Sequence, residues 1–469
     1  MAYANTLLLS GLFGGLFAFF VSKLSQWAKL RQFKGPRSAG FCKLWQLMQS
    51  RAGTIHIGLM EACETYGSIA RIGPNDLVTN EPELWKSIYG VRSQYKRGDF
   101  FDAFRWDPST DISLTMKNNT QHAQRKAQLA PGYSGKEVTE FESKIDDNIN
   151  NFCRLLDEKY VSSPTSTRVF DMARKIQYYT LDAATDVAFG QPLGCIDKDS
   201  DMFDYIKTVE EGFERIAVMG TYPVLAQIFD TPLLRWMLPN EKDEGGIGRI
   251  MRCSSGCRRK SREAIDARRN SDGKIQPTND ILGSWIKHGL PSDAARAEAT
   301  VLVVGGSDST AGAIRSLLLY IITNPRVYVT LSKEICDAKP SSPIQLSEAQ
   351  KMPYLQATIK ESLRIFPPIG VPLFRVVPEG GENFNGRHIP EGTNLGLDFW
   401  GMYRKNKDLW GDDPAMFRPE RWLQAEPSRL KEMDTMIQYV FGYGRWQCLG
   451  KTIAMMEINK AAIEVRAVS

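Results

Sequence analysis

One cysteine near the C-terminal end stands in a setting suited to metal chemistry. Cys448 lies in the stretch FGYGRWQCLGKTIAMMEINK, with Gly442, Gly444 and Gly450 around it. Glycine permits left-handed backbone angles and a close approach to a flat surface, because no Cβ intervenes. The run that follows is helix-like, and free N–H groups at a helix N-terminus favour a thiolate. Such a thiolate could be the axial ligand of a haem iron; an isolated cysteine beside a turn would more often be a structural thiol.

Further motifs make this cysteine part of a larger pattern. The spacing F-G-x-G-x-x-x-C-x-G resembles the haem loop of the cytochrome P450 family, the haem-thiolate monooxygenases. The resemblance extends over most of the chain from residue 34, in the family's order. Glu361-Ser362-Leu363-Arg364 matches the E-x-x-R helix, and Phe417 to Trp422 looks like the PERF segment. The resemblance implies a buried triad of Glu361, Arg364 and Arg421, and burial of these charges requires pairing.

A segment with two adjacent glycines carries the residues expected to handle protons. Gly305 to Thr310, GGSDST, is similar to the family's oxygen-binding segment. Adjacent glycines in a helix cost about 1 kcal/mol each relative to alanine, and room over a haem face would explain them. The resemblance implies that Asp308 shuttles protons and that Ser309, where the family usually has Thr, assists O–O cleavage. Thr310 is a second candidate. The alternative is that Ser309 bonds back to the carbonyl four residues earlier.

Haem propionates need cationic partners, which the resemblance places at Arg375, His122 and Lys126. The last two stand in QHAQRKAQLAPGYS, where the family often has W-x-x-x-R. Because this chain departs from that pattern, Arg125 competes with Lys126 for the role.

The loop before the cysteine also departs from the family. Trp446 occupies the position two residues before Cys448 that is usually arginine, and Arg445 comes one place earlier. Either Arg445 reaches a propionate or stacking of the indole replaces that contact. Phe441, Gly442 and Gly450 are the other loop residues that we expect to bind haem b.

Elements that position these residues can be read from the apolar periodicity. SIARIGPNDLVTN, residues 68–80, predicts two short strands around a turn. Residues 292–325 predict a helix of roughly thirty residues through the core, which Ser292 can cap and Pro325 ends. The stretch 353–366 predicts another helix, followed by short strands. The class is mainly α with small β-sheets, the cytochrome P450 fold in a single large domain.

An uncharged run at the start of the chain predicts a membrane anchor. Residues 2–22 contain no charge and match the about 20 residues that a helix needs to span a bilayer. Seven basic residues and no acid follow between residues 23 and 51, which keeps the downstream chain cytosolic. We therefore predict an anchor at 1–22, a basic Pro/Gly-containing hinge at 23–50 and a haem-thiolate catalytic domain at 51–469, on the endoplasmic reticulum membrane.

Charge and cysteine content exclude other classes. The formal net charge of the chain is +5. Residues 23–51 alone carry +7, so the rest of the chain carries −2. The basic charge therefore belongs to this flank, and nothing predicts a nucleic-acid partner. Eight cysteines without a paired framework fit a reducing compartment.

The resemblance implies a monooxygenase that takes electrons from NADPH through a separate cytochrome P450 reductase. No dinucleotide fingerprint lies between a strand and a helix in this chain. We expect the pocket to be lined by apolar side chains and to accept a lipophilic specialised metabolite, such as a terpenoid, polyketide or alkaloid, entering from the membrane. The expected lining residues are Phe100, Phe101, Phe104, Trp106, Val301 to Val304 and Ile369 to Leu373.

Family members usually continue beyond the last helix into a β-hairpin, whereas this sequence ends at IEVRAVS. We therefore expect the hairpin to be missing. That expectation supports one alternative to a monooxygenase, a non-catalytic haem- or ligand-binding protein. A redox-neutral isomerase or dehydratase of the same fold is a second alternative, against which Asp308 and Ser309 argue, because proton delivery serves O₂ activation.

Overall fold

The computed structural model describes residue 21 and residues 24–90, 92–105, 110–225 and 280–467. Helices dominate this part of the chain and the sheets are small, as predicted. The predicted anchor lies outside the described residues except for position 21. Among the residues that are described, no helix is both long enough and apolar enough to cross a bilayer.

The described strands lie in two parts of the chain, one before the long run of helices and one within its later part. The described helices from residue 44 onward are α1 (Leu44–Arg51), α2 (Ile55–Tyr66), α3 (Pro82–Tyr89), α4 (Asn119–Tyr133), α5 (Phe141–Lys159), α6 (Met172–Phe189), α7 (Cys195–Lys198), α8 (Tyr205–Thr221), α9 (Ile281–Lys287), α10 (Ser292–Thr323), α11 (Pro325–Ala338), α12 (Leu346–Ala349), α13 (Pro353–Ile365), α14 (Phe399–Lys405), α15 (Lys407–Trp410), α16 (Glu420–Gln424), α17 (Pro427–Ile437) and α18 (Lys451–Ala467). The strands are β1 (Ile69–Gly73), β2 (Asp76–Thr79), β3 (Lys96–Arg97), β4 (Arg375–Val376), β5 (Glu382–Phe384), β6 (Arg387–Ile389) and β7 (Asn394–Leu397).

The chain divides into two compact units. The first comprises Met1–Ala103, Ala217–Val224 and Gly370–Met402, and the second comprises Phe104–Ile216, Leu225–Ile369 and Tyr403–Ser469. The single catalytic domain over 51–469 stays a prediction.

The first unit holds both sheets. The five-stranded sheet has the order β1-β2-β7-β4-β3, in which β2 pairs with β7 in parallel and the other neighbours are antiparallel. Strands β5 and β6 form a separate antiparallel pair. Helix α2 packs its apolar residues against β1 and β2, and this core includes Leu59, Ile72 and Val78. The two strands predicted between residues 68 and 80 are therefore confirmed.

The predicted hinge packs onto β1 from residue 34 onward. The Arg71 backbone N–H donates to the Lys34 carbonyl at 2.8 Å. A Cβ at Gly35 would lie only 1.8 Å from the Arg71 carbonyl oxygen, so only glycine permits this approach. The Arg71 guanidinium donates to the carbonyls of Gly40 and Pro74, which holds this segment against the strand.

The second unit is built around α10, the 32-residue helix predicted from the apolar run. It packs against α6, α13 and α18. Two details differ from the sequence prediction. Pro291, not Ser292, is the N-cap residue, and Ser292 is the first helical residue. Pro325 begins α11, because its missing N–H and fixed φ suit the first turn of a helix.

Candidate haem-thiolate site

Left-handed glycines shape the loop that carries Cys448. Gly442 has φ +67° and Gly444 has φ +58°. A Cβ at Gly442 would lie 2.5 Å from the Trp446 carbonyl oxygen, so the loop can close only over glycine. The closed loop lets the Cys448 backbone N–H donate to the Phe441 carbonyl at 2.6 Å. This bond fixes the cysteine immediately before α18.

The surroundings of Cys448 act on the pKa of its thiol in opposite directions. The residue is exposed to solvent, yet surrounding protein desolvates the sulfur and raises its pKa. The N–H groups of Gly450 and Lys451, at the start of α18, oppose that rise, as does the charge of Lys126. The helix N-terminus thus acts in the predicted direction, but burial outweighs it.

Lys126 ties α4 to the cysteine loop. Its Nζ donates to the carbonyls of Arg445 and Gln447, both at 2.9 Å. Arg125, the competing cation, donates instead to the buried carboxylate of Glu298 at 3.0 Å. Of the two, only Lys126 reaches the loop, and here it binds backbone carbonyls.

The other predicted propionate partners lie in different surroundings. His122 is buried on α4, and its ring centroid is 4.8 Å from that of Trp446, with the two ring planes tilted by 40°. Arg445 is half-buried in the same loop. Arg375 belongs to the first unit, where its guanidinium lies over the rings of Tyr89 and Phe101, and burial lowers its pKa. His122, Arg125, Lys126 and Arg445 belong to the same unit as Cys448, whereas Arg375 does not.

Asp308 is held on α10 by a neighbour from α6. Gln177 Nε2 donates to Asp308 Oδ1 at 2.7 Å. Burial raises the pKa of Asp308 to about 6, although the Gln177 hydrogen bond and the Arg315 charge oppose the rise. An acid with that pKa can give and regain a proton near neutral pH.

Ser309 adopts the alternative that the sequence left open. Its hydroxyl donates to the Gly305 carbonyl at 2.7 Å, four residues earlier. The Ser309 oxygen keeps its capacity to accept a hydrogen bond. Thr310 is buried on the same helix.

The glycine pair on α10 leaves the room that a planar cofactor needs. A Cβ at Gly305 would meet no protein atom within 4 Å, and one at Gly306 would meet only Ala184 at 3.5 Å. Gly305 is exposed although α10 runs through the core of its unit. These residues fit a haem group: Cys448 would hold the iron, and Phe441, Gly442 and Gly450 would be the loop residues beside it. When bound through a thiolate, haem supplies O₂ activation, because the ligand pushes electron density towards the iron.

Glu361, Arg364 and Arg421 are brought together as expected. Arg364 binds Glu361 through Nε at 2.9 Å and Nη2 at 2.7 Å, and Arg421 Nε donates to the same carboxylate at 2.9 Å. All three are buried. Burial alone would raise the pKa of Glu361, but the two guanidinium groups lower it below its ordinary value. Other guanidinium hydrogens reach backbone carbonyls, including those of Pro414 and Met416. Arg421 Nη1 also donates to Asp413 Oδ1 at 3.1 Å.

Several residues of this arrangement were not predicted. Trp422, where the PERF pattern has phenylalanine, donates from Nε1 to Glu361 Oε2 at 2.9 Å. Glu298 accepts from the backbone N–H and the hydroxyl of Ser113 as well as from Arg125. The sequence signals for these two contacts were weak: Trp422 stands where the motif has an aromatic residue, and Glu298 is an acid in the predicted long helix.

Of the expected lining residues, Phe101 and Val303 are buried, and Trp106 lies outside the described residues.

A cysteine loop before a helix, a glycine-bearing core helix with an acid, and a buried Glu-Arg-Arg triad define a haem-thiolate enzyme. The cytochrome P450 family model matches residues 35–465. The chain belongs to the cytochrome P450 family and is a monooxygenase of that family.

Curated relatives from filamentous fungi agree. The chain is 36% identical to cytochrome P450 monooxygenase ABA1 of Pyricularia oryzae strain 70-15, over 95% of this chain and 87% of the relative. It is 34% identical to the aba1 monooxygenase of Botryotinia fuckeliana strain B05.10, over 93% and 85%. It is 30% identical to a pisatin demethylase of Fusarium vanettenii, over 94% and 83%.

Proposed function

We propose that this monooxygenase inserts one oxygen atom from O₂ into a lipophilic specialised metabolite, by hydroxylation, epoxidation or oxidative demethylation. The observation that carries the proposal is the Cys448 loop, closed over Gly442 and set at the start of α18. The pisatin demethylase relative supports demethylation as one outcome. Terpenoid, polyketide and alkaloid scaffolds are the substrate classes to test.

The chain's own residues have distinct tasks in this proposal. Cys448 holds the haem b iron. Lys126 positions the loop through two carbonyls, and His122 and Arg445 lie in the same unit to face the propionates. Asp308 holds an exchangeable proton because its pKa is about 6, and Ser309 offers an acceptor oxygen beside it in the chain.

The proposal also includes the source of electrons and the location of the protein in the cell. The implied donor is an NADPH–cytochrome P450 reductase that docks by charge on the cysteine side, where Lys451 and Arg445 contribute positive charge. Residues 1–22 would anchor the protein in the endoplasmic reticulum membrane with the catalytic part in the cytosol.

The test is turnover with a reductase. The purified protein, a fungal reductase, NADPH and ¹⁸O₂ are incubated with a panel of lipophilic terpenoids, polyketides and alkaloids. We expect at least one product that gains a single ¹⁸O atom or loses a methyl group, and only when NADPH is present. Product formed without NADPH would favour the redox-neutral alternative. NADPH-independent binding of panel compounds without any product would favour the binding protein.

A further inference from the structure

Three residues from two helices control the carboxyl group of Asp308. On α6, Gln177 is buried, and its Nε2 donates to Asp308 Oδ1 at 2.7 Å. On α10, Arg315 donates from Nη2 to Gln177 Oε1 at 2.8 Å. Arg315 is itself fixed, because its Nε donates to the Ala173 carbonyl at 2.8 Å and Nη2 reaches the same oxygen.

The chemistry of these groups fixes the orientation of the Gln177 amide. A guanidinium has only donors, so the side that faces Arg315 must be the carbonyl oxygen Oε1. The NH₂ group is then the side that faces Asp308. If the amide turned over, its NH₂ would meet the guanidinium and its oxygen would meet the Asp308 carboxylate, and both contacts would be repulsive.

We propose that Gln177, oriented by Arg315, is a positioning residue that decides which oxygen of Asp308 carries the exchangeable proton. Oδ1 accepts the amide N–H, so the proton of the neutral acid sits on Oδ2. Oδ2 is buried and, within the described part of the chain, has no hydrogen-bond partner. When Oδ2 gives up its proton, Asp308 becomes a carboxylate, and it must take up one proton before it can act again. The inference rests on the proposed function of Asp308 as proton carrier.

The charged groups around Asp308 are consistent with this role. Burial is the largest influence and raises the pKa of Asp308, while Gln177 and Arg315 lower it and Glu210 on α8 raises it. Glu210 is paired with Arg174 at 3.1 Å, and Asp171 at the start of α6 acts on Arg315. Among these groups, Gln177 is the one that is hydrogen-bonded to the carboxyl group of Asp308.

The experiment follows the protonation of Asp308 directly. Infrared spectra of the haem-loaded protein are recorded from pH 4 to 9, and the Asp308 carboxyl band is identified by its loss in Asp308→Asn. We expect a midpoint near 6 in the wild type. Gln177→Leu removes a hydrogen bond to the charged form, and the midpoint should rise by about one pH unit. Gln177→Glu keeps the size and the Arg315 contact but faces Asp308 with a carboxylate, so it should raise the midpoint further.

A matched control separates this effect from general loosening. Gln356 also donates its amide to two buried acceptors, the Ala349 carbonyl at 2.9 Å and Asn459 Oδ1 at 2.7 Å. Gln356→Leu should leave the Asp308 midpoint where it is. If both Gln177 variants retain the red-shifted Soret band of the reduced carbon monoxide complex and the wild-type midpoint, the positioning role is wrong. A wild-type protein that lacks that band would instead contradict the proposed function.

Discussion

At the scale of single residues, buried charges in this protein are held by specific donors. The Glu361 carboxylate accepts from Arg364, Arg421 and Trp422, and also from the backbone N–H of Arg418 at 2.8 Å. Removal of the carboxylate would leave the two guanidinium groups buried without its charge, which costs more than the complete arrangement contributes.

Glu361→Gln should therefore destabilise the fold strongly. We expect a loss of about 3–5 kcal/mol in the free energy of unfolding, measured in urea at pH 7, because Arg364 and Arg421 both lose the buried Glu361 charge. Arg421 keeps its 3.1 Å ion pair with Asp413. The control is Asp434→Asn, which breaks an exposed 2.7 Å pair with Lys360 and should cost about 1 kcal/mol or less. Equal losses in the two variants would contradict the buried triad.

The raised pKa of Asp398 predicts that the free energy of unfolding depends on pH. It is buried in the first unit, where desolvation raises its pKa to about 7, although the Gly401 N–H donates to it at 2.8 Å. An acid whose folded pKa lies above its unfolded pKa of about 3.9 destabilises the folded state increasingly as pH rises between the two values. Asp398→Asn keeps the acceptor for Gly401. The variant should gain stability relative to wild type from pH 4 to 7, with a plateau above that range, in urea unfolding. A constant difference would contradict the raised pKa.

At the scale of elements, loops depend on glycines that meet backbone atoms. Gly442 combines a positive φ with a Cβ position 2.5 Å from the Trp446 carbonyl oxygen. Gly53 has a similar φ of +70°, but a Cβ there would meet nothing within 4 Å. The two positions separate the cost of the backbone angle from the cost of a clash in the haem loop.

Gly442→Ala should lower the amount of haem bound per protein molecule, because the loop must open to relieve the clash. Gly53→Ala should carry only the cost of the left-handed angle, about 1–2 kcal/mol, with haem content unchanged. Haem content by absorbance and the unfolding midpoint are measured for both. Normal haem content in Gly442→Ala would show that the loop tolerates opening.

The sequence predicts elements better than it predicts their contacts. Helix α10 and the strands β1 and β2 follow from apolar runs and turn residues, which are local signals. The resemblance to the family also predicted that Glu361, Arg364 and Arg421 lie together. The pairing of Gln177 with Asp308 and of Lys126 with loop carbonyls was not predictable, because it depends on which helices pack side by side. The desolvation that raises the pKa of the Cys448 thiol was likewise not predictable, because it depends on the atoms that surround the sulfur in the folded chain.

At the scale of the whole molecule, charge is divided unevenly. Residues 23–51 carry a charge of +7 and the rest of the chain carries −2, which gives the net charge of +5. The basic character therefore belongs to the segment after the uncharged run. That arrangement supports a membrane-anchored enzyme whose catalytic part has little net charge.

Deletion of residues 2–22 should therefore move the protein from the membrane fraction to the soluble fraction of fungal cells. We expect the haem spectrum to remain, because every residue assigned to the site lies beyond residue 121. Fractionation of cells that express each form, followed by immunoblotting, checks this. Full-length protein in the soluble fraction would contradict the anchor.

The central claim, thiolate ligation by Cys448, is tested most directly by the spectrum of the reduced carbon monoxide complex. We predict a strongly red-shifted Soret band in the wild type and its loss in Cys448→Ala. Cys336→Ala, which removes an exposed cysteine elsewhere on the chain, should leave the band in place. A shifted band that persists in Cys448→Ala, or that is absent from folded, haem-loaded wild-type protein, would contradict the account.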